Sequence, residues 1–246
     1  MKIGVTGCSN SSYGWGKPWH YHMGEALNAE IINSSSAGAG NEMNIEKVRF
    51  ILREHKPDYF VCQLTQSLRL VLGIWDWVKN PGEEDYYYPN SHNFQHLNHS
   101  NLFLDQGYYT FNANINNQNL ERMFGKPLKP DEFIVNYVVP SNYNLYYKVF
   151  QTMMTMQHLC DMYNCKLLFF SWFDNLNDLA KESGYEDVLK TFNCIPGNVN
   201  DYTRLNDIKY ILGDGHFKTD EHKMIYDGFI HPHVVEMIKN HTSPYA

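Results

Sequence analysis

The chain has 246 residues, 43% hydrophobic and 19% charged, which is enough to bury one large core. A net charge of -7 and no basic run exclude the electrostatic footprint of a nucleic-acid-binding protein. No apolar run is long enough to span a bilayer, and no basic-then-apolar leader pattern opens the chain, so a cytoplasmic protein without a membrane partner is expected.

Lys2-Ile3-Gly4-Val5-Thr6 reads as a first strand ended by Gly7, with the small polar residues Ser9, Asn10, Ser11 and Ser12 after it. In an open α/β sheet, ligands meet the chain just past the carboxyl ends of the strands. Ser9 is therefore either presented to a crevice or used to cap the next helix. Trp19 to Leu27 reads as that helix, and Glu30-Ile31-Ile32-Asn33 as a second strand running into a loop rich in Ser and Gly, Ser34 to Asn41. Met43 to His55 carries a helical pattern on Ile45, Val48, Ile51 and Leu52. Tyr59 to Leu64 is a third strand, apolar for most of its length, of the kind covered on both faces. This β-α-β-α-β opening predicts a parallel, doubly wound sheet.

From Trp75 to about Asn142 no period persists. The stretch is aromatic and Asn-rich, and it is expected to be an insertion or lid carrying short helices, one near Leu120 to Phe124. Tyr143 to Met162 is a long helix, Cys165 to Trp172 a fourth strand, and Asp178 to Phe192 another helix. Ile208 to Leu212 suits a short strand or turn. A last helix from about Asp220 to Ile238 is kinked or interrupted by Pro232. The whole is expected to be a single α/β domain, with about five parallel strands between helices.

The five cysteines are odd in number and lack zinc-ribbon spacing, so reduced thiols are the default; Cys8 should point into packing. Nucleophilic catalysis by a serine needs a base in reach and a group that orients the base. Asp214-Gly215-His216 supplies a carboxylate and an imidazole within three residues of a glycine-flanked loop. The histidine pairs His20/His22 and His231/His233 are a rival signal for a metal. With twelve histidines in the chain, however, chance pairs are expected, and no metal or other cofactor is assigned.

Three blocks, in order, carry a family resemblance. Gly7-Cys8-Ser9 resembles the first block of the SGNH (GDSL-like) hydrolases, with Cys8 where Asp is usual. Ile32-Asn33-Ser34-Ser35-Ser36-Ala37-Gly38 resembles the second block. Asp214-Gly215-His216-Phe217 and the residues to His222 resemble the last. The resemblance implies a flavodoxin-like three-layer sandwich. It also implies an esterase or acylhydrolase in which Ser9 is the nucleophile, His216 the base and Asp214 its orienting carboxylate. The backbone N–H groups of Ser9 and Gly38 would form the oxyanion hole. Gln66 stands where the family has an Asn that completes this hole, and Asp214 lies two rather than three residues before the histidine.

The substrate class so implied is an ester, such as an acyl group on a carbohydrate or another small molecule. The alternative is a catalytically impaired member of the same fold that binds a ligand or serves a structural role. The aromatic insertion suits either a sugar-stacking surface or a contact between copies of the chain in a homo-oligomer.

Overall fold

The computed structural model of the chain describes residues 1–12, 16–36, 39–67, 69–73, 94–96, 108–112, 142–211 and 216–241. Its strands are Lys2–Thr6 (β1), Glu30–Asn33 (β2), Tyr59–Leu64 (β3), Arg69–Gly73 (β4), Phe94–His96 (β5), Tyr108–Asn112 (β6), Lys166–Ser171 (β7) and Cys194–Asn198 (β8). Strand β1 pairs in parallel with β2 on one side and β3 on the other. The sheet continues in parallel from β3 to β7 and β8, and the three-residue β5 lies beside β2. The order β2-β1-β3-β7-β8 is the flavodoxin-like arrangement, with its switch point at β1 and β3.

Side chains alternate between the two faces of these strands. Ile3, Val5, Val61, Leu168 and Phe170 face one layer, made by Trp19–Leu27 (α1) and the C-terminal helices. Ile32, Phe60, Cys62, Leu64, Leu167 and Phe169 face the other, made by Asn41–His55 (α2), Asn142–Met162 (α3) and Leu176–Ser183 (α4). Both cores are lined by residues with essentially no exposure, each worth roughly 1.5–3 kcal/mol if a large apolar side chain is fully buried. The expected α/β sandwich is therefore the observed one, and β1 to β3, α1, α3 and β7 fall within a residue or two of their expected bounds.

Several elements differ from expectation. The helix expected from Asp178 to Phe192 is two: α4 ends where Gly184 adopts a left-handed conformation (φ 73°), and Glu186–Leu189 (α5) follows. The fifth long strand is β8, with Pro196 in it; its register against β7 shifts between Phe169 and Ser171, and Val199–Leu205 (α6) follows it. Residues 208–211 form no strand. The final helix is Thr219–Ile225 (α7), a π-helical turn Tyr226–Ile230, and His231–His241 (α8). Pro232 sits in the first turn of α8, where a missing N–H costs little, and the irregularity is taken up by the π turn just before it.

Most of the expected insertion at 75–142, including Leu120 to Phe124, lies outside the described residues. Within it, β6 pairs antiparallel with β4. No helix among the described residues is long and apolar enough to cross a membrane.

Candidate active site

The carboxyl ends of β1, β2 and β3 carry the three turns singled out in the sequence. Ser9 opens a 3-10 turn, Ser9–Ser11, directly after β1. It is only 9% exposed, so it is more enclosed than a residue displayed on an open loop. The bland expectation for Ser9, a helix cap, is not what its side chain does. The carbonyl of Ser9 accepts from Ser12 N and Oγ, while its hydroxyl makes no hydrogen bond to any described residue.

The backbone under this serine is held by a buried network. Gln63 Oε1, on β3, accepts from the backbone N–H of Cys8 (3.2 Å) and from the Ser11 hydroxyl (2.6 Å). Gln63 Nε2 donates to Cys8 Sγ at 3.1 Å, which gives Cys8 the inward, structural place expected of it. Ser11 Oγ in turn accepts from Trp19 Nε1 (2.7 Å), and the Ser11 carbonyl accepts from Asn33 Nδ2 (3.2 Å) and His20 Nε2 (2.9 Å). The Trp19 ring meets Phe170 edge-on, with centroids 5.1 Å apart. The turn is thus tied to β2, β3, α1 and the sheet core at once. Gly7 is required for this: a Cβ there would lie 2.5 Å from Gln63 Oε1 and 2.8 Å from Ser11 Oγ.

Gln66 is partly buried just beyond β3, between two anchored neighbours. Asn41 takes both backbone groups of Thr65, its Oδ1 accepting from Thr65 N (2.8 Å) and its Nδ2 donating to Thr65 O (3.2 Å). The Ser67 N–H donates to Asp174 Oδ2 at 2.6 Å. Burial raises the pKa of Asp174, and the hydrogen bond from Ser67 pulls it back.

His216 is partly buried, and its carbonyl accepts from Ile211 N at 2.7 Å. Phe217, next to it, is fully buried against Trp172 and Tyr210, and α7 starts two residues on. Two bonds fix the start of α7 beside the start of α1: Lys17 N to Thr219 Oγ1 (3.1 Å) and His22 Nε2 to Thr219 O (3.2 Å). The segment bearing His216 therefore docks on the stretch that follows the Ser9 turn, at the carboxyl edge of the sheet. Gly38 and Asp214 lie outside the described residues.

The histidine pairs serve the backbone and their neighbours. His20 and His22 donate to the carbonyls of Ser11 and Thr219, and His231 Nδ1 meets the Tyr226 hydroxyl at 2.6 Å. His222 is buried and its pKa is lowered to about 3, by burial first and then by neighbouring His22 and His216.

Four buried polar atoms at the same edge have no partner among the described residues: Asn10 Oδ1, Ser35 Oγ, Asn44 Nδ2 and Thr65 Oγ1. Asn10, Ser35 and Thr65 follow β1, β2 and β3, and Asn44 lies in the first turn of α2. Buried polar groups are normally paired, and among the described residues these four are not.

Sequence reasoning missed the support of the site: Gln63, Ser11 and Trp19 under the Ser9 turn, and Asn41 and Asp174 beside Gln66. Gln63 carried one signal, an amide inside an otherwise apolar central strand, where a polar residue needs a specific partner.

Strand order and layering define a flavodoxin-like three-layer sandwich. No family model and no curated protein matches the chain. Among solved structures, TesA is similar at 12% identity over 98% of this chain and 99% of its own, with a TM-score of 0.51. The psychrotrophic esterase EstA from Pseudoalteromonas sp., in a form inhibited by monoethylphosphonate, is similar at 13% identity over 97% of each chain, with a TM-score of 0.47. The likeness to TesA is one of fold and spans nearly the whole chain.

Proposed function

We propose that the protein is a serine hydrolase of SGNH type that cleaves an ester through Ser9, His216 and Asp214. The observation that carries this reading is the Ser9 turn. Its hydroxyl is bonded to no described residue, while the backbone around it is fixed by Gln63, Trp19, His20 and Asn33. A serine used only as a cap or as packing would spend its hydroxyl within the fold. A nucleophile needs it held at a set position and reserved for its base. No Ser9–His216 hydrogen bond is present among the described residues, so in this reading that contact forms when substrate binds.

In the proposed reaction, His216 takes the proton of the Ser9 hydroxyl as Oγ attacks the ester carbonyl, and Asp214 holds the imidazole in the required tautomer. The carbonyl oxygen becomes an oxyanion that accepts from the N–H groups of Ser9 and Gly38 and from the Gln66 amide. Collapse of the tetrahedral intermediate expels the alcohol, which receives the proton from His216. Water then repeats the sequence on the acyl-enzyme, releasing the acid and free Ser9. The substrate in this reading is an ester, such as an acyl group on a carbohydrate or another small molecule.

The test is direct. A fluorophosphonate probe is expected to label Ser9, and Ser9→Ala is expected to lose both labelling and p-nitrophenyl acetate hydrolysis. Hydrolysis that survives Ser9→Ala rules the reading out.

A further inference from the structure

Helix α2 buries an unusual face. Its second half presents Val48, Ile51 and Leu52 to the core, as an amphipathic helix should. Its first two turns bury Asn41, Asn44 and Lys47, at 2%, 0% and 0% exposure. These positions are three residues apart and form one stripe along the helix. Burying two amides and a lysine where leucines would fit costs stability, so the stripe calls for a reason.

Each member reaches the carboxyl end of a different strand or the turn just after it. Asn44 Oδ1 accepts from the hydroxyl of Thr6 (2.9 Å), the last residue of β1 and three before Ser9. Lys47 Nζ donates to Ser36 Oγ (2.7 Å), two residues before Gly38. Asn41 holds both backbone groups of Thr65, the residue before Gln66. The loop between β2 and α2 is itself closed by Ala39 N donating to Ser36 O (3.2 Å), and Ser36 N donates to Gly7 O (3.3 Å).

We propose that Asn41, Asn44 and Lys47 are positioning residues, a single helix face that sets the segments bearing Ser9, Ser36 and Gln66 relative to one another. The role as stated for catalysis rests on the hydrolase reading above; the mechanical role does not. An oxyanion hole assembled from three separate turns works only if they keep their spacing. A displacement of about 1 Å is enough to cost roughly a hundredfold in rate. One rigid helix bonded to all three segments removes that freedom.

The test compares Lys47→Met, which keeps the length of the side chain and removes its donor, with Asn41→Ala and with Val48→Ala. Val48→Ala weakens the same helix through its apolar face and leaves the stripe intact. Lys47→Met and Asn41→Ala are expected to lower kcat by about tenfold to a hundredfold with little change in KM. Val48→Ala should leave kcat within about twofold of the parent.

Amide exchange supplies a readout independent of turnover. Residues 34–36 should exchange at least about tenfold faster in Lys47→Met, and residues 65–67 in Asn41→Ala, with α8 unchanged. Exchange at these turns that matches the parent, or a fall in kcat as large in Val48→Ala, overturns the proposal. If the parent itself shows no Ser9-dependent hydrolysis, the hydrolase reading fails alone, and the exchange data still decide whether the stripe holds the turns.

Discussion

Lys47 gives the sharpest quantitative expectation. It is fully buried, and burial lowers its pKa from 10.5 to about 7, with the thiols of Cys8 and Cys62 pulling weakly the other way. The unfolded chain returns the amine to water and to its ordinary value. Between the two values the unfolded state binds more protons than the folded one, so stability must rise with pH across that window. The contribution is fully present above about pH 10.5 and is lost as pH falls through about 7. Moving from about pH 7 to about pH 9 should therefore add about 2 kcal/mol to the unfolding free energy, on 1.36 kcal/mol per unit of pH less the part already titrated.

Lys47→Met lacks this term. Urea unfolding of the two proteins across that range, at fixed ionic strength, isolates it, because other groups that titrate there cancel in the difference. The gap between parent and variant should change by about 2 kcal/mol in favour of the parent as pH rises. Parallel stability curves, with a constant gap, would refute the argument that this amine is buried with a depressed pKa.

Two further expectations use the same reasoning. Gly7→Ala pushes a methyl group into Gln63 and Ser11; it should destabilise by about 1–3 kcal/mol in urea unfolding and slow any Ser9 labelling, whereas unchanged labelling and stability would show the turn to be pliant. His222, with its pKa lowered to about 3, should impose an acid limb: between about pH 6.5 and pH 4 the parent should lose about 3 kcal/mol more stability than His222→Phe, and coincident acid transitions would contradict this.

The residues that were legible in the sequence and those that were not divide along a physical line. Strands β1, β3 and β7 were readable because each is short, apolar and bounded by breakers, and burial on both faces leaves that mark in the chain itself. Strand β8 was not. It pairs through a register shift and carries Pro196, which an edge strand tolerates because one side of its ladder has no partner to satisfy. The split between α4 and α5 turns on the left-handed conformation at Gly184, which a helical period does not reveal. In the site, the positions of Ser9 and Gln66 followed from their places just past strands. Their supports did not, because Gln63 and Ser11 are 52 residues apart and Asn41 and Thr65 are 24 apart. A polar residue on a helix reads as solvent-facing until the group opposite it is known.

That last point bears on Gln66, which stands where the resembled family has an Asn. Its longer side chain places an amide donor farther from its own backbone. What fixes the backbone on either side is different in kind: Asn41 grips Thr65 from α2, and Asp174 grips Ser67 from the end of β7. With both neighbours held, the reach of the Gln66 amide is set by its own side-chain torsions and not by loop motion. A preorganised donor requires both a fixed origin and a reach that ends about 3 Å from the oxyanion. The anchors supply that origin, and the same helix that supplies one of them also holds Thr6 and Ser36. On the proposed hydrolase reading, the Gln66 amide thus works from a backbone tied on one side to α2 and on the other to the end of β7.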